Sequence, residues 1–255
     1  MKPSRKVVTR SPHRVVGLIA CNWLQKQPIE YESQLEKRFI QKILLTQGVT
    51  EVIHQPFQIE YGNALEKKYT PDFLITFQDG TKIVVEVKPE KFIPKFADTF
   101  DAAGDILQQR NFKFCVVSEL QIDINDEPES IDLLLRYAKG SFPRSNIEAV
   151  KQFISGTTTR EISIKEVCDC TNSSIHLLFH LLGRRSLRFS KEISTSPNTL
   201  ILGNAGGEYY DNVFIPDWLN NTQWTANSRV RQNDNGVGSS IRRSHHTPNL
   251  HVGHF

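Results

Sequence analysis

Hydrophobic and polar positions are most tightly organised between Tyr69 and Pro89, in YTPDFLITFQDGTKIVVEVKP. Phe73 to Phe77 is aromatic and β-branched, Lys82 to Val87 is nearly all β-branched, and Gln78-Asp79-Gly80 between them is a turn signal. The stretch predicts a hairpin whose register follows from side-chain alternation. With a two-residue loop, Asp79-Gly80, Asp72 faces Val87, Phe73 faces Glu86, and both faces are mixed. With a three-residue loop, Gln78 to Gly80, glycine takes the left-handed conformation that such a turn needs. Asp72 then faces Glu86, Leu74 faces Val84 and Thr76 faces Lys82. The opposite face becomes Phe73, Ile75, Phe77, Ile83, Val85 and Val87, all apolar. A one-residue slip would turn every side chain over, so this clean face selects the three-residue loop.

Helical spacing appears upstream. In Ser33 to Leu45, Leu35, Phe39 and Ile43 recur every fourth residue, and Ile40 and Leu44 widen the stripe. Glu36 falls on that inward face. Ser33-x-x-Glu36 is a capping-box pattern in which the glutamate could bond to the Ser33 amide; a carboxylate reaching the hairpin is the competing reading. Val52 to Tyr61 has strand character interrupted by Pro56. Pro94 to Arg110 predicts a weak helix, Lys113 to Ser118 a buried strand, and Pro128 to Lys139 a helix. This order predicts an α/β fold with a mixed sheet flanked by helices.

A boundary is expected at Gly140-Ser-Phe-Pro143. Beyond it, short helices are predicted at 147–154, 164–168 and 173–182, followed by two strand-like runs at 186–189 and 199–202. Three helices and a basic β-hairpin fit a winged helix-turn-helix, with Arg184, Arg185 and Arg188 placed for DNA backbone contact. A small helical packing or protein-binding module is the alternative. His176 and His180 lie four apart without an evident third metal ligand, which favours surface or phosphate-contacting roles. The expected organisation is a basic N-terminal arm (1–30), an α/β core (31–140), a winged-helix domain (141–219) and a flexible polar tail (220–255). Trp218 and Trp224 stand out near that tail as aromatic anchors for a partner.

The charge balance changes little: 31 Lys and Arg against 28 Asp and Glu give a net charge of +3. Local clusters therefore matter more than the total. Arg5, Lys6, Arg10 and Arg14 make the N-terminus either a solvated terminus or a phosphate-contacting arm. Four cysteines without C-x-x-C spacing argue against zinc and for reduced, cytoplasmic thiols. No apolar run approaches the ~18 residues of a membrane span.

The chemistry lies in the hairpin. Two facing carboxylates repel unless they are neutralised, and a divalent cation does this well. Lys88, two residues after Glu86, shares their face. A lysine there can orient or deprotonate an attacking water, or stabilise phosphate charge. An exposed hairpin with ordinary surface charges is the bland alternative. The P-D-x(13)-E-x-K spacing resembles the PD-(D/E)xK nuclease superfamily. The run YESQLEKRFI…QPFQIEY…YTPDFLITFQDGTKIVVEVKPEKF is similar to the TnsA endonucleases of heteromeric cut-and-paste bacterial transposons.

That resemblance implies a restriction-endonuclease-like fold, a bacterial cytoplasmic location and a Mg²⁺ cofactor, with Mn²⁺ as a substitute. It puts Glu36, Asp72 and Glu86 at metal-binding positions, Lys88 at the catalytic lysine and Gln55 at a recurrent position near the site. It implies cleavage of the 5′ ends of transposon DNA, on the non-transferred strand. The implied partners are an integrase-type (TnsB-like) transposase and an AAA+ (TnsC-like) ATPase. A stand-alone restriction or repair nuclease and a non-catalytic DNA-binding assembly factor are the competing functions.

Overall fold

The computed structural model describes residues 16–62, 66–203, 215–220, 222 and 224. Its centre is a mixed sheet of β3 (Val49–His54), β6 (Phe73–Phe77), β7 (Lys82–Val87) and β8 (Lys113–Val117), in the order β3-β6-β7-β8. Around it run β1 (Gly17–Ile19), β2 (Ile29–Tyr31), β4 (Ile59–Tyr61) and β5 (Lys67–Tyr69) as two antiparallel pairs. The β6–β7 pairing sets Leu74 opposite Val84 and Thr76 opposite Lys82. The turn closes with Phe77 N–H donating to Thr81 C=O at 2.9 Å, and Gly80 has φ +84°. The three-residue loop is therefore the one adopted, and the ladder extended by two residues brings Asp72 to Glu86.

Both faces of the hairpin are buried. Phe73, Ile75, Phe77, Ile83, Val85 and Val87 join the larger core, beneath α1 (Gln34–Leu45). Leu74 and Val84 join a second core with Phe100, Ala103 and Leu107 of α2 (Ala97–Gln109). β7 and β8 run parallel, which requires the crossover that α2 supplies. Helix α1 starts where Ser33 accepts the Glu36 amide at 3.1 Å. β3 stops at Pro56, preceded by Gln55 at φ +41°.

The remaining helices are α3 (Glu119–Ile122), α4 (Glu127–Ala138), α5 (Arg144–Gly156), α6 (Ile164–Thr171), α7 (Ile175–Gly183) and α8 (Asp217–Asn220). Beyond α5, β9 (Glu161–Ser163) pairs with β10 (Leu200–Leu202), and Phe189 bridges to Ile201. A helix–strand–helix–helix–strand order therefore follows Pro143. It is not set apart from the nuclease-like core, because α7 packs along α4 and the described residues form one compact unit. Helix α7 is buried from Leu177 to its last residue, Gly183. His180 is core rather than surface: its Nδ1 lies 2.9 Å from Tyr137 C=O, and burial lowers its pKa.

Three sequence expectations change here. Gly17 to Glu30, expected within an extended arm, folds with Tyr31 into the β1–β2 hairpin, and its Cys21 and Ile29 are buried. The arm's basic residues Arg5, Lys6, Arg10 and Arg14 lie outside the described residues, as does nearly all of the tail. Trp218 and Trp224 dock on their own chain. Trp218 meets Phe39 edge-on at 6.1 Å and lies under Lys42. Trp224 donates its indole N–H to Asp101 at 2.7 Å and its backbone N–H to Phe114 C=O, on edge strand β8. Among the described residues no helix is long and apolar enough to cross a membrane.

Arg185 shows why sequence position misleads. At φ +60° it turns inward and donates to Thr46 C=O at 2.8 Å and Val49 C=O at 2.7 Å. Two charge-assisted bonds to carbonyls at the α1–β3 connection make it a structural tie. Arg185→Ala should therefore destabilise the fold by about 2–4 kcal/mol in denaturant melts, without altering the salt dependence of DNA binding.

Candidate active site

The site forms where β6 begins and β7 ends. Glu86 is 3% exposed and holds two donors. Its Oε1 lies 2.7 Å from Lys88 Nζ, and its Oε2 accepts the Tyr69 hydroxyl at 2.7 Å. Asp72 accepts the Val87 amide on Oδ2 at 2.8 Å, which pins it across the hairpin. Gln55 N–H donates to Asp72 C=O at 2.7 Å, tying the end of β3 to the start of β6. A cavity of 580 Å³ opens here, lined by Glu32, Gln55, Tyr69, Asp72, Glu86, Lys88, Phe96 and Phe100 among others.

Electrostatics mark the cluster as overloaded with negative charge. Burial pushes the Asp72 carboxyl well above the usual carboxylate range, and repulsion from Glu86 and then Glu36 pushes it further. Glu36 is also raised, chiefly by burial and further by Glu32 and Glu86, against the pull of its hydrogen bonds. For Lys88, burial alone would lower the pKa. Glu86, Asp72 and Glu36 override it and raise the pKa above its ordinary value, so the ammonium stays charged. Tyr69 is raised well above a normal phenol by burial, with Glu86 and Asp72 adding to the effect, which keeps its hydroxyl a donor.

Glu36 belongs to this field without lining the cavity. Its Oε1 accepts the Ser33 hydroxyl at 2.8 Å and its Oε2 the Glu32 amide at 2.7 Å. The capping role is real, but the amide is that of Glu32 rather than Ser33. The fold brings together Glu36, Asp72, Glu86 and Lys88, the four residues expected at the site. Tyr69 joins them without being expected there; its one signal in the sequence is that a buried tyrosine seeks a hydrogen-bond acceptor. Arg184 and Arg188 do not line the cavity. Arg184 is exposed and donates to Ala138 C=O at 2.8 Å.

Residues 46–119 match the family model of the TnsA-like endonuclease N-terminal domain. The chain carries a TnsA-like endonuclease domain. That match supports a TnsA-type nuclease reading for this segment, and Asp72, Glu86, Lys88 and Tyr69 all lie inside it. Glu36 lies before it. No curated protein matches the chain.

The TnsA-like domain holds its carboxylates at a cost to its own stability. A carboxyl whose folded pKa is raised binds protons more readily folded than unfolded. Stability is then highest below the unfolded carboxylate pKa and is lost as pH rises through the folded value. Asp72→Asn keeps an acceptor for the Val87 amide and removes the charge. It should raise the melting temperature at neutral pH, by about 2–4 °C for each kcal/mol recovered. The gain should vanish under acid conditions, where wild-type Asp72 is itself protonated. Thermal melts across a pH series measure it.

Proposed function

We propose that this protein is a divalent-metal-dependent DNA endonuclease that works inside a heteromeric transposase and cleaves the 5′ ends, the non-transferred strand, of transposon DNA. The observation that carries this reading is the desolvated Asp72–Glu86 pair, with Lys88 bonded to Glu86, inside a TnsA-like domain.

The donor set bears on the metal. Among the described residues no three His, Cys, Asp or Glu side chains are grouped to hold an ion. Mg²⁺, however, is commonly held by one or two carboxylates, with water and substrate phosphate filling its other positions. Asp72 and Glu86 fit that arrangement, and their excess negative charge is what a cation would relieve. Those two residues would hold Mg²⁺ or Mn²⁺, which when bound supplies Lewis-acid stabilisation to the scissile phosphate. Glu36 would complete the set through the lone pairs that its bonds to the Glu32 amide and the Ser33 hydroxyl leave open.

The protein's own groups do the rest. Lys88, kept protonated, offers its charge to the negative charge developing on the phosphate or orients the attacking water. Tyr69 fixes the Glu86 carboxylate, and the Asp72–Val87 bond fixes Asp72, so neither must reorganise during reaction. The element order after Pro143 supports a winged-helix reading, with Arg184 and Arg188 as DNA backbone contacts beside Arg5, Lys6, Arg10 and Arg14. Dispersed basic contacts favour salt-sensitive, weakly selective binding. We therefore place control of cutting with an integrase-type, TnsB-like transposase and an AAA+, TnsC-like ATPase.

Asp72→Ala, Glu86→Ala and Lys88→Ala should each reduce 5′-end cutting by about 100-fold or more, with circular dichroism unchanged. Cutting should require the transposase; efficient site-specific cleavage by the lone protein would favour a free-standing nuclease instead. Mn²⁺ should raise the melting temperature of the wild type but not of Asp72→Ala. Glu36→Gln can accept the Glu32 amide on its oxygen and donate its own amide to the Ser33 hydroxyl, so a loss as deep as that of Asp72→Ala would make Glu36 a metal ligand. A mild loss would leave it a cap that shapes the field.

A further inference from the structure

Directly after the catalytic strand, Glu90–Phe96 (EKFIPKF) forms a 3₁₀ helix of seven residues, none of them buried. Runs of that length are uncommon because 3₁₀ hydrogen bonds are poorly aligned. The turn is fastened from behind. Ile93 packs against the second core, the Glu90 amide donates to Glu119 Oε2 at 3.0 Å, and the Phe92 amide donates to Pro89 C=O at 2.8 Å. On its outer side, Phe92 is 45% and Phe96 37% exposed. Each carries a lysine: Lys91 Nζ lies 4.9 Å from the Phe92 ring centre and Lys88 Nζ 5.0 Å from that of Phe96. Lys95 is exposed beside them.

Folding alone does not account for this surface, since burying either ring would be favourable. Its position does. Phe96 lines the cavity, stacks with Phe100 at 6.1 Å and touches the catalytic lysine. The turn therefore borders the cavity. Lys91 and Lys95 are exposed on the turn and Lys88 adjoins it, against Glu90 and Asp98. Alternating lysine and aromatic side chains are the equipment for holding nucleic acid without reading its sequence: ammonium groups meet phosphates and rings meet base or sugar faces.

We propose that this turn is a DNA grip, in which Phe92 stacks on a nucleotide flanking the scissile phosphate and Lys91 and Lys95 hold the adjoining phosphates. The grip rests on the endonuclease reading of the same site. A protein partner could also cover two exposed rings. DNA is favoured because the turn adjoins the cavity through Phe96 and bears an excess of lysine.

The test uses the full chain carrying Asp72→Ala, so that binding is measured without cleavage. The probe is a duplex with a single-stranded 5′ extension and 2-aminopurine at successive positions. Adding Phe92→Ala should weaken binding about tenfold and abolish 2-aminopurine quenching at one position, with the melting temperature unchanged. Phe92→Trp should restore both. Lys91→Ala and Lys95→Ala should each flatten the slope of log affinity against log salt by about 0.9. Variants that bind and quench like their parent overturn the grip and leave the endonuclease reading standing. So does an unchanged DNA affinity accompanied by weaker binding to the partner transposase. A parent that binds no DNA at low salt would remove both readings together.

Discussion

The pairing of β6 with β7 is the constraint on which the rest depends. Asp72 and Glu86 lie far apart in sequence, and only one register brings them together on one face. Gly80, at positive φ in the turn, permits that register. Burial on both faces enforces it, since a slip would set Asp72 opposite Val87 and Phe73 opposite Glu86, parting the carboxylates and mixing polar with apolar side chains on both buried faces. The sheet thereby holds two like charges in a poorly solvated place, which water would not tolerate as a free arrangement. Lys88, the Val87 amide and Tyr69 reduce the repulsion without cancelling it.

Much of this was legible because strands and helices write their periods into the chain. The hairpin, α1, the interruption at Pro56 and the buried strand β8 all follow from local alternation and spacing. Leu74 and Val84 shared a face with polar neighbours, so nothing nearby announced that α2 would cover that face as well. The site's carboxylates were legible through spacing and register. Tyr69 was not, because its partner, Glu86, becomes a neighbour only in three dimensions.

The errors share a cause. Arg185, His180, Trp218, Trp224 and the β1–β2 hairpin were judged by composition in their own neighbourhoods, and each is decided by a distant surface. An arginine in a basic cluster is ordinarily a phosphate contact, yet Arg185 finds two carbonyls on the α1–β3 connection. A tryptophan in a polar segment looks like an anchor for a partner, yet Trp224 finds the edge of its own sheet. Long-range contacts of this kind leave no mark in a short window.

Trp224 carries one more consequence. The outer strand of the nuclease sheet, β8, is complete at Val117, yet the segment bearing Leu219 and Trp224 that covers it comes about a hundred residues later. During synthesis the growing chain therefore passes through a stage in which the β6–β7 hairpin exists while the β8 edge beside it is bare. Phe100, which Trp224 meets at 5.5 Å and which lines the cavity, lacks its backing in that interval. A sheet assembled in this order is completed only once residue 224 has been made, and a chain cut short before that point leaves the β8 edge uncovered.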